Sequence, residues 1–301
     1  MVASALLLLL LLPSSLASLP SISITEVPST SLLATLGSQG VLVVKDLGPG
    51  YTSALESLRR KAPSCLEDSL RVTMQDGSQR FTTARDTVSQ EQAFPSCVLG
   101  EVEVITAVFD RVDKLFSSLL RAKFGQQLNV VELEGNKTLD WEEMDSKTHL
   151  HVYKQTALPT SSPMALPYHT DNGLYVLLTP SPLLPLRVIT PGGAVASLHT
   201  DDSSVLLLLG TGLTTWLLPN SSLRAAPHGL PALHTALSPT PRTVLARMRV
   251  APTLSRPVSA PGAPTFWSHF SAPLEQEQGA TLTRLRKQRS AGCSQDWPHA
   301  W

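Results

Sequence analysis

Short apolar runs bounded by proline or glycine constrain this chain more than any other feature of its sequence. Residues 174–179 and 205–209 are rich in leucine and valine, and each run is long enough for a β-strand but too short for a typical helix. Proline follows the first run and glycine follows the second. The chain holds 24 prolines among 301 residues, and proline breaks helix interiors because it lacks the backbone donor. The sequence therefore favours a loop-rich, mainly β architecture over a helical bundle.

A His-x-Asp motif stands just before the first of these runs, at His169 and Asp171. On a strand, alternate side chains point to the same face, so these two would point together while Thr170 points away. One imidazole and one carboxylate would then take two adjacent positions around a single metal ion. The competing interpretation is a surface histidine at a strand end, with the aspartate accepting hydrogen bonds in a turn.

A second histidine and an arginine follow further along the chain. His228 comes directly after the segment Arg-Ala-Ala-Pro, and Arg242 lies beyond it. Two histidines and one carboxylate make up the facial triad of non-haem Fe(II) oxygenases. His234 competes for the third ligand position, and the Arg-Ala-Ala-Pro context favours His228.

Residues 168–252 resemble the catalytic core of isopenicillin N synthase-like Fe(II)/2-oxoglutarate dioxygenases. The motifs stand in the order of that family: the His-x-Asp pair, the turn Thr-Pro-Gly-Gly at 190–193, a strand ending at Gly210, the Pro-His segment and then Arg242. Residues 149–154 resemble, more loosely, the strand that precedes the metal site in the family.

The resemblance implies an α+β, mainly β fold: a double-stranded β-helix, or jelly roll, with N-terminal helices packed outside. It implies that His169, Asp171 and His228 hold Fe(II) and that 2-oxoglutarate is the co-substrate. Arg242 would bind the far carboxylate of 2-oxoglutarate, because a guanidinium stays charged and donates two parallel hydrogen bonds. Tyr153 would lie near the same molecule. The activity would be oxidation of a C–H bond in an unknown small molecule or side chain.

The chain departs from the family pattern at Val244, where the family carries the serine of Arg-x-Ser. A hydroxyl partner for the carboxylate is then missing unless Thr243 supplies it. The segment from His228 to Arg242 is also longer than usual. Arg247, the second candidate for the carboxylate, lies an odd number of residues from Arg242 and should face the other side of the strand.

These departures support two alternatives to the dioxygenase. One is a secreted, non-catalytic glycoprotein on the same scaffold that binds a ligand or partner. The other is an iron oxidase or cyclase that does not use 2-oxoglutarate.

Residues 1–17 have the features of a secretory signal peptide: an apolar block at 5–12, a proline break and a small-x-small cleavage site. The block is too short to span a bilayer, and no other stretch reaches membrane length. Sequons at Asn136 and Asn220 fit the same route. We therefore expect no membrane span and a protein that is secreted or held in an organelle lumen.

The three cysteines leave one without a partner in the chain. In an oxidising compartment we expect Cys65 and Cys97 to pair, since both flank the same N-terminal region. Cys293 would then be free or available to another chain. None of the three has metal-ligand spacing.

The chain divides into a signal peptide (1–17), an N-terminal region of helices and strands (18–148), the dioxygenase-like core (149–252) and a Pro-rich linker with a C-terminal tail (253–301). This organisation is consistent with one catalytic domain and its appendages, since the length and an apolar content of 42% suffice for one sizeable core.

Helical spacing of apolar residues predicts helices at 51–60 and about 100–124, the second ending at Gly125. The predicted apolar stripe of the longer helix consists of Val104, Val108, Val112, Leu115, Leu119 and Leu120. Residues 156–167 are rich in proline, serine and threonine and form either a substrate lid or a plain connector.

Charge argues against a nucleic-acid partner. The 24 basic residues balance 24 acidic residues, so a basic cluster between 284 and 289 is interpreted as a solvated helix face. The remaining histidines are interpreted as structural or exposed; they are His149, His151, His199, His269 and His299.

Overall fold

The computed structural model describes residues 20–26, 30–67, 69–86, 94–155, 160–181, 185–233 and 240–270. Within these residues the chain forms fifteen β-strands and three α-helices. Among them, no helix combines the length and the apolar character needed to cross a membrane. The predicted signal peptide, His234, His299, Cys293 and the basic cluster at 284–289 lie outside the described residues.

The largest sheet contains eight strands, and all of its neighbouring pairs are antiparallel except the β1–β2 pair. In spatial order the strands are β1 (Ser21–Ser23), β2 (Val41–Lys45), β12 (Val205–Leu209), β9 (Tyr175–Leu178), β14 (Arg242–Arg249), β7 (Ser146–Lys154), β4 (Gln79–Asp86) and β3 (Leu70–Thr73). Four of these strands precede residue 149, so the predicted boundary between 148 and 149 falls within one continuous sheet.

A second, antiparallel sheet contains four strands. In spatial order they are β11 (Val195–Ser197), β10 (Arg187–Ile189), β13 (His228–Pro231) and β8 (Met164–His169). The predicted turn at 190–193 joins β10 to β11. There the amide of Gly193 donates to the carbonyl of Thr190 at 2.9 Å, and Gly193 has a positive φ of 79° that favours glycine.

A third sheet shows that the segment after Pro252 is not the extended linker expected from its prolines. Strand β15 (Ser255–Pro257) pairs with β5 (Val130–Glu132), which pairs with β6 (Lys137–Leu139). Beyond β15, the Trp216 indole donates to the carbonyl of Pro264 at 3.0 Å, and its ring meets the buried Phe266 edge to face. The prolines do not prevent this packing, because the segment also carries Phe266, whose side chain is buried in the core against Trp216.

The three helices are α1 (Thr30–Gln39), α2 (Pro49–Cys65) and α3 (Leu99–Phe124). The two predicted helices are confirmed as α2, which is longer than expected, and α3, which ends before Gly125 as predicted. The predicted stripe of α3 is wrong at Val104, which is 44% exposed. Val102 and Ile105 are buried instead, because the 3.6-residue period turns the intervening position toward solvent.

Alternation along the strands of the large sheet separates two apolar cores. Leu42 and Val44 of β2 face a core shared with the buried sides of the three helices. Val41 and Val43 face a second core, which also includes Val188 from the four-stranded sheet. The helices therefore cover one face of the large sheet, and the four-stranded sheet covers the other.

The predicted pairing of Cys65 with Cys97 is confirmed. Cys65 is the last residue of α2, and Cys97 lies just before α3. The disulfide therefore ties together the two longest helices, which pack against each other on the helical side of the large sheet.

Candidate metal centre and active-site cavity

The four-stranded sheet brings the two histidines of the predicted triad side by side. His169 is the last residue of β8 and His228 the first residue of β13, and the two are directly paired across the strands. Cross-strand partners point to the same face of a sheet. The two rings accordingly lie with their centroids 4.5 Å apart.

Asp171 joins the histidines from beyond the strand, not from within it as the His-x-Asp pattern predicted. Strand β8 ends at His169, and the chain turns before Asp171. Thr211 fixes this turn, because its amide and its hydroxyl both donate to the carbonyl of Asp171, at 2.8 Å and 2.9 Å. The aspartate side chain is buried, with 4% relative exposure.

The three side chains form a compact donor set. One ligand atom from each of His169, Asp171 and His228 lies within 4.8 Å of the other two. The carboxylate oxygens of Asp171 lie 3.8 Å from Nε2 of His169 and 3.6 Å from Nε2 of His228. Both imidazole Nε2 atoms therefore face the same carboxylate across a gap of the size that a metal ion would bridge.

Backbone carbonyls orient both imidazole rings. Nδ1–H of His169 donates to the carbonyl of Pro167 at 2.9 Å, and Nδ1–H of His228 donates to the carbonyl of Ala226 at 2.9 Å. Because a carbonyl can only accept, each ring carries its proton on Nδ1 and keeps the Nε2 lone pair for a ligand. Burial, and then the neighbouring His228, lower the pKa of His169, which favours the neutral ring that a metal requires.

Two atoms of the group lack hydrogen bonds in the part of the chain that the structure describes. They are Nε2 of His169 and Oδ1 of Asp171, and both are buried. Buried polar atoms are normally satisfied, so orphaned atoms that converge on one point need an explanation. A divalent metal ion at that point would satisfy both atoms, and the residues therefore fit a metal site.

Gly210, the residue after β12, packs directly against the turn that carries Asp171. A Cβ at Gly210 would lie 2.1 Å from the carbonyl oxygen of Gly173 and 2.9 Å from that of Asp171. Any side chain there would displace the turn that carries the carboxylate. The glycine predicted at the end of this strand thus has a packing role beside the metal centre.

A cavity between the two sheets opens onto the donor set. Its empty space is about 620 Å³, including the part that is open to solvent. Its polar lining consists of His149, His151, Tyr153, Asp171, His228 and Arg242, and the remaining lining is apolar. An apolar lining with a few convergent polar groups is typical of sites that bind small organic molecules.

His149 and His151 belong to this cavity, which the sequence analysis did not anticipate. Both are buried, and their rings lie 5.7 Å apart in a stacked arrangement. They alternate with Tyr153 along β7, so all three side chains face the same side. That alternation was visible in the sequence, but it could not show which face of the strand would meet the metal centre.

Arg242 and Tyr153, the two residues predicted to contact 2-oxoglutarate, both line the cavity. They are paired across β14 and β7, and the guanidinium carbon lies 5.5 Å from the centroid of the tyrosine ring. Val244, two residues along, lines the same cavity. Thr243 alternates with these two and so faces the helical side; it therefore does not supply the hydroxyl that the sequence analysis considered.

Arg247 faces the helices, as the strand alternation predicted. Its guanidinium forms an ion pair with Asp110 of α3. The candidate lid at 156–167 is only partly described, and its last residues belong to strand β8. This part is a strand of the four-stranded sheet, because its backbone pairs with β13, although the register between the two strands shifts twice.

Arg80 is a further charged residue of this region that sequence reasoning missed. It lies on β4, directly paired with Tyr153 on the side opposite to Arg242, and it is completely buried. Burial lowers the pKa of His151 well below its ordinary value, and the positive charges of Arg80 and Arg242 contribute. His151 is therefore neutral near pH 7 and hydrogen-bonded through Nδ1 to the Thr82 hydroxyl at 2.9 Å.

Comparison with solved structures decides the fold. The crystal structure of the dioxygenase for auxin oxidation from rice matches with a TM-score of 0.58 over 86% of this chain and 96% of that chain, at 17% identity. The chain has the fold of Fe(II)/2-oxoglutarate dioxygenases. No protein-family model matches the sequence, and no curated protein sequence does.

Two further dioxygenase structures contain ligands. The Arabidopsis thaliana dioxygenase for auxin oxidation, solved as its 2-oxoglutarate complex, has a TM-score of 0.56 over 78% of this chain and 93% of that chain, at 15% identity. JOX2, solved in complex with 2OG, Fe and JA, has a TM-score of 0.58 over 84% of this chain and 83% of that chain, at 14% identity. These matches each cover 78–86% of this chain.

Proposed function

We propose that this protein is a non-haem Fe(II)/2-oxoglutarate-dependent dioxygenase that oxidises a C–H bond of a small molecule or side chain. The observation that carries the proposal is the convergence of His169, Asp171 and His228, with Nε2 lone pairs and a carboxylate aimed at one point beside a cavity. A set of two histidines and one carboxylate leaves the opposite positions of an iron ion open for other ligands.

The protein residues hold and orient this centre. His169 and His228 would bind Fe(II) through Nε2, since their Nδ1–H groups are committed to backbone carbonyls. Asp171 would bind through its carboxylate, on a backbone fixed by Thr211. When bound, Fe(II) and 2-oxoglutarate would allow O2 to act as the oxidant of a C–H bond, with 2-oxoglutarate oxidised to succinate and CO2 in the same reaction.

The far end of the cavity is suited to the distal carboxylate of 2-oxoglutarate. Arg242 lines the cavity there beside the ring of Tyr153. Tyr153 packs with Leu166 and Leu230, which also line the cavity. In such an apolar setting a guanidinium attracts a carboxylate more strongly than it would in water.

The finer architecture follows from the two facing sheets. Strands β7, β9, β12 and β14 lie in the large sheet, strands β8, β10, β11 and β13 form the four-stranded sheet, and the apolar faces of the two sheets meet in one core. We interpret this arrangement as a double-stranded β-helix with the metal centre between its sheets and the three helices outside. A small-molecule substrate is consistent with the enclosed cavity and with the JA bound to JOX2.

The test is an anaerobic titration of the purified mature protein with Fe(II), followed by 2-oxoglutarate. We expect one Fe(II) to bind per chain and 2-oxoglutarate to produce the weak visible charge-transfer band of its iron chelate. Arg242→Ala should lose the band at limiting 2-oxoglutarate. Arg71→Ala is the matched control, because Arg71 is an exposed arginine on β3.

Each alternative outcome has a defined meaning. Iron binding without the band would favour an iron oxidase or cyclase that does not use 2-oxoglutarate. A folded protein that binds no iron would overturn the proposal in favour of a non-catalytic binding protein on the same scaffold.

We infer further that the protein follows the secretory route. The signal-peptide features of residues 1–17, the Cys65–Cys97 disulfide and the exposed sequon residues Asn136 and Asn220 support this inference. Expression in a secreting eukaryotic cell should yield a cleaved protein in the medium whose mass falls on endoglycosidase treatment. Retention of an uncleaved, unglycosylated chain in the cytosol would contradict the inference.

A further inference from the structure

Two arginines flank a tyrosine on the cavity face of the large sheet, and the tyrosine and one of the arginines, Arg242, line the cavity. Arg80 of β4 and Arg242 of β14 are both direct cross-strand partners of Tyr153 on β7. Cross-strand partners project to the same face, and neighbouring strands lie roughly 5 Å apart. The three side chains therefore form one row on the cavity face of the large sheet.

The next row of the same sheet confirms the orientation of β4. Thr82, two residues after Arg80, is the cross-strand partner of His151, and its hydroxyl is hydrogen-bonded to that histidine at 2.9 Å. His151 lines the cavity. Side chains two residues apart on a strand share a face, so Arg80 projects to the cavity side as Thr82 does.

The charges at this end of the cavity favour an anion. Among the described residues that line the cavity, Asp171 is the one acid, and its carboxylate faces the two metal-group histidines. The buried Asp76 lies behind this end, where its carboxylate accepts hydrogen bonds from Ser78 and from the amide of Leu233. Arg80 is completely buried. Apolar side chains of Met74, Leu166, Leu230 and Leu233 pack around Tyr153 and keep water from this end.

The side chain beside Arg242 does not help to bind a carboxylate. Val244 occupies the cavity face of β14 next to Arg242 and has no polar atom in its side chain. A carboxylate has two oxygens that together accept about four hydrogen bonds. With Arg242 and Val244 alone, some of these hydrogen bonds would not form. A second guanidinium, on the other side of Tyr153, would donate the remaining ones.

We propose that Arg80 and Arg242 together bind the distal carboxylate of 2-oxoglutarate, with Tyr153 between them. The inference rests on the proposed function, because it concerns the co-substrate of that site. It assigns to Arg80, a residue outside the motif-bearing region 149–252, a direct role in co-substrate affinity. The keto-acid end of the same molecule would lie toward the metal group and would not depend on Arg80.

The test compares two keto acids that differ in the distal carboxylate. Anaerobic titrations of the Fe(II)-loaded protein, followed by the charge-transfer band, give dissociation constants for 2-oxoglutarate and for 2-oxobutyrate, which lacks that carboxylate. Arg80→Met should weaken 2-oxoglutarate binding by roughly 10- to 100-fold, since charge-assisted hydrogen bonds are lost. The constant for 2-oxobutyrate should change less than about 3-fold, because its binding uses no contact with Arg80.

Two additional variants sharpen the comparison. Arg85→Met is the matched control, because Arg85 lies on the same strand but is exposed, and it should change neither constant. Adding Val244→Ser to Arg80→Met should restore part of the lost 2-oxoglutarate affinity, since a hydroxyl then replaces part of the missing donor set. A purely structural role for Arg80 would weaken the binding of both keto acids, which would overturn the proposal.

The outcomes separate this inference from the proposed function. If the wild-type protein produces the band with 2-oxoglutarate and Arg80→Met binds it equally well, the inference fails and the proposed function stands. If the wild-type protein binds iron but produces no band with either keto acid, both fail.

If Arg80→Met does not fold, the 2-oxoglutarate affinity of the single variant Val244→Ser tests the inference instead. With two guanidiniums already present, the added hydroxyl should change the 2-oxoglutarate affinity less than about 3-fold. A gain of about 10-fold would show that the carboxylate lacks a second partner in the wild type and would contradict the inference.

Discussion

A buried histidine couples the cavity to the stability of the whole protein. His151 is packed among Thr82, His149, Arg80, Arg242 and Val244, and burial with the two positive charges lowers its pKa well below the ordinary value. The folded state therefore keeps the ring neutral while the unfolded chain takes up a proton below about pH 6.5. Stability from this residue is complete above that pH and is lost as the pH falls toward the folded pKa.

We predict that His151→Asn flattens the acid side of the stability profile. The wild type should lose up to about 1.4 kcal/mol of unfolding free energy per pH unit below pH 6.5 on account of this residue. Asparagine can keep a hydrogen bond to Thr82 but cannot titrate. Urea unfolding at pH 7.5 and pH 5.5 measures the difference, with the exposed His199→Asn as the control. An unchanged pH dependence in His151→Asn would refute the prediction.

A second residue-scale prediction concerns Gly210. Gly210→Ala forces a Cβ against the carbonyl oxygens of Gly173 and Asp171, so we expect a loss of about 1–3 kcal/mol of stability by overpacking and weaker metal binding. Gly100→Ala is the control, because a Cβ there meets nothing within 4 Å and alanine favours the helix by up to about 1 kcal/mol. Urea unfolding and Fe(II) titration check both variants. Equal metal affinity in the two variants would show that this turn does not position Asp171.

Individual site residues could be predicted from the sequence where they belong to a recognisable motif. His169, Asp171 and His228 could be proposed together because their residue types and order match a known donor set. Arg80 could not, since it lies far away in sequence on a strand with no motif. Its place opposite Tyr153 depends on the register between β4 and β7, which no local pattern in either strand determines.

At the scale of elements, the disulfide joins the helices that cover the large sheet. Cys65 ends α2 and Cys97 precedes α3, with a sequence separation of 32 residues. A closed loop of this length removes chain entropy from the unfolded state. The disulfide should therefore stabilise the protein by roughly 3–4 kcal/mol.

The prediction is that the double variant Cys65→Ser, Cys97→Ser unfolds at lower urea concentration and loses about 3–4 kcal/mol. Fe(II) affinity should stay within about 3-fold of the wild type, because additivity holds for sites without shared partners. The wild type treated with a reductant provides an independent comparison. A variant as stable as the oxidised wild type would show that the bridge contributes nothing.

Strands and helices with strong patterns were predictable, and their partners were not. The run at 205–209 and the helix at 100–124 appear nearly as predicted, since their local periodicity defines a buried face. The segment after Pro252 was expected to be a linker because Pro257, Pro261 and Pro264 stand there among small residues. Its pairing with β5 depends on a distant strand, and the burial of Phe266 depends on a distant tryptophan.

At the scale of the whole molecule, stability and chemistry lie on opposite faces of the large sheet. The helical face holds the larger apolar core, together with the ion pairs of Arg247 and Arg249 with α3. The opposite face holds the cavity and the metal group, whose two histidines lie at strand ends and whose aspartate lies in the turn after β8. Removal of a ligand side chain should therefore spare the fold.

Anaerobic equilibrium dialysis with Fe(II) measures whether His169, Asp171 and His228 together bind one iron ion. The samples are the wild type, Asp171→Ala and the exposed control His199→Ala, each checked for unchanged circular dichroism. We predict one bound Fe(II) per chain in the wild type and the control, and none in Asp171→Ala at the same free Fe(II) concentration. Stoichiometric Fe(II) binding by folded Asp171→Ala would show that Asp171 is not a ligand of the iron ion.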